Sequence, residues 1–313
     1  SLYPLHRKDS RGLSFFILFR EVRKMAKALC FGSLNIDYIY QVPHFVGAGE
    51  TLSALSRQRL AGGKGLNQAV ALSRAGAETY MAGSVGEDGE FLLETLRQAG
   101  VDISLVRQME GNTGTAVIQR DGAGENCILL HGGANRCITA DQVQETLEHF
   151  APGDWLVLQN EISCLPLLLR EGRKRGMQVV FNPSPMEPDL LGLHLEMVHC
   201  LVLNQVEGRQ LLGGEAREEE ALRRGLEEWF QGDTLVLTLG SRGAWCLHQG
   251  EWVFQKAFSV PVVDTTGAGD AFTGFFVASR MMGQSIPQAL EKAAWAAAQA
   301  IQHPGSTVPV RAN

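Results

Sequence analysis

Residues 264–270 have the sequence Asp-Thr-Thr-Gly-Ala-Gly-Asp, which places two carboxylates around a glycine-rich turn. The apolar run 260–263 predicts a short strand before the turn, and residues 271–282 predict a helix after it. The turn would expose backbone N–H groups at a helix N-terminus, where the helix dipole favours an anion such as a phosphoryl group. Asp270 lies at this helix start and is suited to accept a proton from a hydroxyl that attacks phosphorus. A plain tight turn with Asp270 as its N-cap is the simpler alternative.

A second glycine-rich stretch, residues 61–69, has the sequence Ala-Gly-Gly-Lys-Gly-Leu-Asn-Gln-Ala. The apolar periodicity predicts a helix over 64–75, and Gly63 would bring its backbone close to a ligand at the helix start. Lys64 and Asn67 lie one helical turn apart and offer a cation and an amide to hydroxyl groups. Lysine is more often a surface residue, but a cation is unfavourable at a helix N-terminus, which indicates a ligand for Lys64.

With these two stretches, the chain from about residue 27 to the C-terminus resembles the ribokinase branch of the PfkB family of carbohydrate kinases. The resemblance implies a ribokinase-like three-layer α/β/α fold, with a Rossmann-type sheet and a small β-sheet lid. It also implies transfer of the γ-phosphate of Mg·ATP to a sugar hydroxyl, with Asp270 as the base. The amides of Gly267, Ala268 and Gly269 would form the anion hole. No P-loop pattern and no G-x-G-x-x-G after a strand occurs, so phosphate binding must rest on the turn at 267–270, on Mg²⁺ and on the turn at Gly240.

Strand and helix patterns alternate along the chain, which predicts an α/β fold with ligands at the carboxyl ends of the strands. The predicted strands are 27–32, 79–85, 155–159, 177–181, 200–203 and 234–239. The predicted helices are 64–75, 88–99, 140–150, 268–282 and 286–301.

Polar residues at the predicted strand ends are candidate sugar ligands. Asn35 and Asp37 follow the first strand and alternate on one face, although either alone would suit an Asx turn. Glu161 follows the strand at 155–159, and an exposed helix start is the alternative for it. The resemblance assigns the sugar site to Asn35, Asp37, Gly63, Lys64, Asn67, Glu161 and Asp270.

A second group of strand ends carries candidate nucleotide ligands. Asn204 and Glu207 lie on one face of a predicted helix start, where a capping box is the usual explanation. The resemblance instead places them near the phosphates, with Glu207 holding Mg²⁺ through water. It assigns ATP binding to Thr238, Gly240, Gly243 and Gly269, beside Asn204 and Glu207.

The resemblance also implies a monovalent cation behind the anion hole. The carboxylate of Asp264, with carbonyl groups near Thr266 and in the tail at Gly305, would hold K⁺ and add positive field to the hole. Activation by K⁺ is therefore expected.

Two stretches at about 38–60 and 115–131 contain strand patterns without a helix, and the Gly-Ala-Gly at 122–124 predicts a hairpin turn in the second. The resemblance implies that these inserts form a lid over the sugar. The same lid would form the contact of a homodimer.

Composition restricts the class of protein. The chain has 313 residues, is 45% hydrophobic and carries a net charge of -6, which suits one large α/β domain with a smaller appendage. The sequence contains no stripe of basic residues that would indicate a nucleic acid partner. No membrane association is expected either. Six cysteines without paired spacing predict buried free thiols in the cytoplasm rather than disulfides or zinc ligands.

Residues 1–24 are predicted to be a disordered leader or upstream extension before a kinase domain at 25–313. The apolar run 13–19 is flanked by basic residues as in a signal peptide, but it is short and no small-residue cleavage site follows.

Three functions remain open at this point. A kinase that converts D-ribose to D-ribose 5-phosphate is the leading hypothesis, because the sugar residues match that branch one by one. A kinase of another pentose, a hexose or a nucleoside is the second. A sugar-binding regulator without catalysis is the third, although the intact Asp264, Gly269 and Asp270 argue against it.

Overall fold

The computed structural model describes residues 5–8, 14–17, 26–214, 218–303 and 305. In chain order its strands are β1 (Leu5–Lys8), β2 (Ser14–Ile17), β3 (Ala28–Phe31), β4 (Asn35–Gln41), β5 (Ser56–Gly62), β6 (Thr79–Val85), β7 (Asp102–Gln108), β8 (Gly114–Arg120), β9 (Asn126–His131), β10 (Trp155–Gln159), β11 (Gln178–Asn182), β12 (Cys200–Asn204), β13 (Thr234–Thr238), β14 (Gly243–His248) and β15 (Glu251–Lys256). The α-helices are α1 (Lys64–Arg74), α2 (Glu90–Gln98), α3 (Ala140–Leu147), α4 (Leu165–Lys174), α5 (Gln205–Leu211), α6 (Glu219–Trp229), α7 (Ala268–Met281) and α8 (Ile286–Ala300).

A nine-stranded sheet with the order β15-β14-β13-β12-β11-β10-β3-β6-β7 forms the centre of the fold. The strands from β13 to β7 are parallel, and β14 and β15 add an antiparallel edge. Parallel strands are covered on both faces and therefore read as continuous apolar runs. In β10, Val157 packs with the cluster under α1, α2, α7 and α8, while Leu156 and Leu158 pack with the cluster under α3, α4 and α6. This alternation produces three layers, and the predicted α/β/α fold class is confirmed.

A separate four-stranded sheet with the order β5-β4-β8-β9 forms the lid. The end of this sheet that joins the main domain contains Asn35, one of the predicted sugar ligands. Asn35 pairs there with both Gly62 and Gly114. Its small core consists of Ile39, Ala116 and Ile118. The hairpin predicted at 122–124 connects β8 and β9.

The prediction of a strand at 260–263 is wrong. Pro261 has no N–H for a sheet ladder, and Val262 and Val263 are exposed. The N–H groups of Val263 and Asp264 instead donate to the carbonyl of Ile301 at the end of α8. This segment is thus fixed by a helix end and not by a neighbouring strand. The elements β7, α4, α6, β14 and β15 are not predicted from the sequence.

The cysteine prediction holds in part. Cys30, Cys200 and Cys246 are buried free thiols, whereas Cys127 and Cys137 are exposed. Cys127 lies on β9, the edge strand of the lid, in which every residue is exposed.

The N-terminal prediction falls mostly outside the described residues. Within 1–24 the structure describes β1 and β2, which pair antiparallel with each other, and the leader remains a prediction. No helix in the described part of the chain is long and apolar enough to span a membrane.

Candidate active site

The glycine-rich turn at 264–270 leads directly into α7. Gly267 is the N-cap residue in the left-handed region, with a φ of 76°, which glycine adopts without strain. The first N–H groups of a helix have no intrahelical acceptor. The N–H of Ala268 donates to the carbonyl of Thr265 at 3.3 Å, and the amides of Gly269 and Asp270 remain for a ligand. The turn therefore has the form of an anion site.

Asp270 is held at this helix start by two side-chain amides from α1. Asn67 Nδ2 donates to Asp270 Oδ2 at 3.1 Å, and Gln68 Nε2 donates to Asp270 Oδ1 at 2.9 Å. The residue Asp270 is 7% exposed. Since each carboxylate oxygen has two lone pairs, Asp270 keeps the capacity to accept a proton from a substrate hydroxyl.

Gln68 is in turn oriented by a residue that the sequence did not indicate. Gln159 Nε2 donates to Gln68 Oε1 at 2.7 Å, and both side chains are fully buried. Because the oxygen of Gln68 is engaged by Gln159, its nitrogen must face Asp270. Gln68 directly follows Asn67 in the second glycine-rich stretch, which was the available signal. Gln159 carries no local signal.

Lys64 is the first residue of α1 and lines the same cavity as Asp270. Burial opposes its charge, but the carboxylates of Asp270, Glu161 and Glu207 outweigh this effect and raise the pKa of Lys64. The lysine is therefore a fixed cation at the site. The preceding Gly63 has a φ of 91°, and a Cβ there would lie 2.9 Å from both Asn35 N and Ser33 O, so glycine is required.

Glu161 connects two of the predicted site segments. Its Oε2 accepts a hydrogen bond from the hydroxyl of Ser33 and another from the backbone N–H of Lys64 at 3.1 Å. The next helix begins only at Leu165, so the alternative of an exposed helix start is wrong. Ser33 is a further residue that the sequence did not indicate.

Asn35 is buried at the start of β4 and oriented by Asn135. Asn135 Nδ2 donates to Asn35 Oδ1 at 2.7 Å, and Asn135 also bonds both backbone groups of Leu34. Asn135 lies in a 3₁₀ turn after the lid hairpin. No pattern in the sequence pointed to it, because the contact joins segments about 100 residues apart.

Asp37 lies two residues farther along β4. Burial, followed by the charges of Glu161 and Asp270, raises its pKa to about 7. Its carboxylate packs against Gly62, where a Cβ would fall 2.0 Å from Asp37 Oδ2. Asp37 is therefore a carboxyl group that changes charge near neutral pH beside the predicted sugar ligands.

We expect Asp37 to make the folded protein less stable as the pH rises from about 4 to about 7. An unfolded Asp titrates near its usual pKa of 3.8, whereas folded Asp37 has a pKa of about 7. Between these values the folded state binds more protons, so the free energy of unfolding falls as the pH rises. In melting curves, the stability of Asp37→Asn relative to wild type should increase as the pH rises across this window. Above the window the difference should stay constant. Parallel pH profiles for the two proteins would contradict this expectation.

The residues predicted to bind the nucleotide lie around two adjoining cavities. The first, of about 140 Å³, is lined by Lys64, Asn204, Glu207, Thr238, Gly269 and Asp270. The second, of about 510 Å³, shares Thr238 and Gly269 with the first and also contacts Gly240 and Gly243. Its far wall contains Ala294, Ala297 and Ala298. The sizes suit a phosphoryl group in the first cavity and a nucleoside in the second.

Asn204 and Glu207 form a complete capping box at the start of α5. Asn204 Oδ1 accepts from the N–H groups of Val206 and Glu207, and Glu207 Oε2 accepts from Asn204 N at 2.8 Å. Glu207 thus serves the helix and also supplies a carboxylate to the cavity. This fits Mg²⁺, which commonly takes one protein carboxylate and completes its shell with phosphates and water. The described residues contain no group of three or more acidic, His or Cys ligands for a metal.

The other two residues predicted to hold K⁺ do contact Asp264. They contact it through backbone N–H groups and not through the predicted carbonyl groups. Thr266 N donates to Asp264 Oδ1 at 2.9 Å, and Gly305 N donates to Oδ2 at 3.1 Å. Arg120 Nη2, from the lid strand β8, donates to the same Oδ2 at 3.0 Å. The carboxylate that K⁺ needs is already paired with a guanidinium, so the residues present do not fit the predicted ion.

Known proteins resemble both the sequence and this architecture. A family model described as pfkB family carbohydrate kinase matches residues 25–313. A ribokinase of Haemophilus influenzae is 32% identical over 289 residues, which are 90% of this chain and 94% of that protein. A deoxyribokinase of Salmonella typhi is 28% identical over 282 residues, which are 88% of this chain and 92% of that protein.

One solved structure agrees in the same way. Arabidopsis thaliana ribokinase, complexed with ribose and ATP, superposes with a TM-score of 0.80 at 30% identity, and the match covers 92% of this chain and 97% of that chain. The large sheet and the small second sheet thus have a counterpart among solved structures, which confirms the resemblance inferred from the two glycine-rich stretches.

Proposed function

This chain belongs to the pfkB family of carbohydrate kinases, and on that premise we propose that it phosphorylates D-ribose at its primary hydroxyl to give D-ribose 5-phosphate. The observation that carries the proposal is Asp270, which is held by Asn67 and Gln68 at an open helix N-terminus beside a cavity. ATP is the phosphoryl donor, as the family membership indicates. The ribokinases among its relatives support ribose as the acceptor.

The sugar is proposed to lie between the lid and α1. Asn35 and Asp37 on β4, with Lys64 and Asn67 on α1, offer amide, carboxyl and ammonium groups to its hydroxyls. Glu161 holds the start of α1 against the end of β3 and completes this side of the site. Hydrogen bonds from several elements orient the primary hydroxyl, which reduces the entropic part of the barrier.

Transfer then requires one proton acceptor and one anion site. The primary hydroxyl oxygen attacks the γ-phosphorus, the bond from that phosphorus to the bridging oxygen breaks, and ADP leaves. Asp270 accepts the hydroxyl proton, and the backbone amides of Gly269 and Asp270, with Lys64, stabilise the charge on the transferred group; the Ala268 amide predicted for this role donates to Thr265 instead. Mg²⁺ bound with ATP offsets charge on the phosphates, and Glu207 is the residue proposed to hold it.

One other sugar is a serious alternative to ribose as the acceptor. The similar deoxyribokinase favours 2-deoxyribose as an alternative acceptor. The test is ADP release with Mg·ATP and a panel of D-ribose, 2-deoxyribose, fructose, other pentoses and adenosine. We expect kcat/KM for ribose to exceed the others by about tenfold or more, because a site built to bond a hydroxyl discriminates against its absence. A preference for another acceptor would reject the ribose assignment, and no turnover with any acceptor would favour the regulator hypothesis.

We also propose that the protein is a homodimer joined through the lid. All six residues of the edge strand β9 are exposed, including the apolar Ile128, Leu129 and Leu130. An exposed apolar edge strand is an association surface unless something covers it. A second copy of the lid offers the same apolar strand, so two lids can cover each other.

The variant Ile128→Lys/Leu130→Lys is expected to be monomeric. Both residues lie on one face of β9, opposite Ile118 and Ala116 of β8, and two charges per copy would have to be buried in the dimer. Light scattering with size-exclusion chromatography measures the mass. Leu191→Lys, at an exposed leucine outside the lid, is the matched control and should leave the mass unchanged. A dimer that persists in the double variant would place the contact elsewhere.

The cytoplasm is the proposed location. All six cysteines are free, which agrees with a reducing compartment.

A further inference from the structure

A largely buried ion pair connects the lid to the catalytic turn. Arg120 is the last residue of β8, and Asp264 begins the glycine-rich turn that precedes α7. Arg120 Nη2 lies 3.0 Å from Asp264 Oδ2, and the side chains are 22% and 5% exposed, respectively. The two residues are 144 positions apart in the chain, so only the folded lid brings them together.

Asp264 supports the backbone of the proposed anion hole. Its Oδ1 accepts the N–H of Thr266 at 2.9 Å, and Thr266 directly precedes Gly267, the N-cap of α7. Burial by itself would raise the pKa of Asp264, but the bonds from Thr266 and Gly305 and the charge of Arg120 lower it. Asp264 is therefore an anion at neutral pH, and a buried anion needs a nearby positive charge.

The guanidinium of Arg120 already supplies that positive charge, so a free cation is not required. Asp264 Oδ2 already accepts from both Arg120 and the N–H of Gly305. A monovalent ion at this oxygen would stand next to the guanidinium, and the two positive charges would repel each other.

We infer that the guanidinium of Arg120 takes the place of a monovalent cation at Asp264, so that neither folding nor phosphoryl transfer depends on K⁺. The turnover part of this inference rests on the proposed kinase function, whereas the folding part does not. Removal of Arg120 should open the carboxylate to K⁺ and create a dependence that the wild type lacks.

The test compares KCl, NaCl and tetramethylammonium chloride at equal ionic strength, with melting temperature and ADP release as readouts. For the wild type we expect equal melting temperatures and turnover within about twofold in the three salts. For Arg120→Ala we expect turnover in tetramethylammonium chloride to fall by about tenfold or more, since an uncompensated buried carboxylate lies behind the anion hole. K⁺ should restore part of this loss and raise the melting temperature of the variant, because an ion that binds only the folded state stabilises it.

Two further variants serve as controls. Arg120→Lys keeps a positive charge and should remain independent of K⁺. Arg57→Ala removes a lid arginine that stacks on Tyr38, and it should behave like the wild type in all three salts.

Specific stimulation of the wild type by K⁺, or a K⁺-specific rise in its melting temperature, would overturn the inference and restore the expected potassium site. If no acceptor is phosphorylated in any salt, the proposed function fails, but the melting temperatures still decide whether Arg120 replaces the ion. If Arg120→Ala does not fold, the wild type and Arg120→Lys still give that decision.

Discussion

Replacement of Asp270 by asparagine is expected to lower kcat by about 10³-fold or more, while the affinity for the sugar changes by only about threefold or less. Asparagine has nearly the same shape as aspartate, but its amide cannot take the proton that the attacking hydroxyl must lose. Most hydroxyl groups of the sugar are expected to bind residues other than Asp270. The complex of the Asp270→Asn variant with the sugar should therefore still form. The measurements are steady-state turnover with Mg·ATP and sugar binding by calorimetry.

The control for Asp270→Asn must separate the loss of a base from a change at a helix start. Asp141 is also an acidic residue in the first turn of a helix, in this case α3, and it is exposed and remote from the cavity. Asp141→Asn should therefore leave kcat unchanged. The amides of Asn67 and Gln68 both donate to Asp270, so the variant will lose some stability, and melting curves must accompany the kinetics. Turnover of Asp270→Asn within about tenfold of wild type would remove Asp270 as the base.

Gly269→Ala is expected to lower turnover by about 10²-fold or more without destabilising the fold. Gly269 is the second residue of α7, and a Cβ there would meet no protein atom within 4 Å. The same residue lines both cavities of the proposed nucleotide site. The added methyl group would therefore occupy the space proposed for the transferred phosphoryl group. Alanine also favours a helix over glycine, so the melting temperature should stay equal or rise.

The matched control for this variant is Gly192→Ala. Gly192 likewise has open space at its Cβ position, but it is the last residue of the 3₁₀ helix Pro188–Gly192 and lines neither of the two cavities. It should keep full turnover. If Gly269→Ala were as active as wild type, the phosphoryl group would not pass against this glycine, and the anion-hole role of the turn would fail.

The parts of the site that the sequence could predict share a physical reason. Lys64, Asn67, Asp270 and Glu207 each follow a strand end or open a helix, and parallel strands bring all such ends to one edge of the sheet. The residue types in the two glycine-rich stretches then specified the chemistry. Most strands of the main sheet were predictable in the same way, because continuous apolar runs such as β10 are typical of strands that are buried on both faces.

The parts that could not be predicted depend on contacts between distant segments. Gln159 orients Gln68 from 91 residues away, and Arg120 reaches Asp264 across 144 residues. Neither residue lies in a motif, and a lid arginine gives no local sign of its partner. The apolar run 260–263 failed as a strand because Pro261 and the contact with the end of α8 outweigh the β propensity of valine.

Phosphorylation of D-ribose at its primary hydroxyl is tested most directly by ³¹P NMR of the products formed from Mg·ATP and D-ribose. We expect stoichiometric ADP and a new phosphomonoester whose phosphorus couples to the two hydrogens of the ribose C5 carbon. Asp270→Asn, incubated in parallel, should give almost none of this signal. A phosphate ester at another carbon, or inorganic phosphate without any sugar ester, would contradict the assignment of this protein as a ribose 5-kinase.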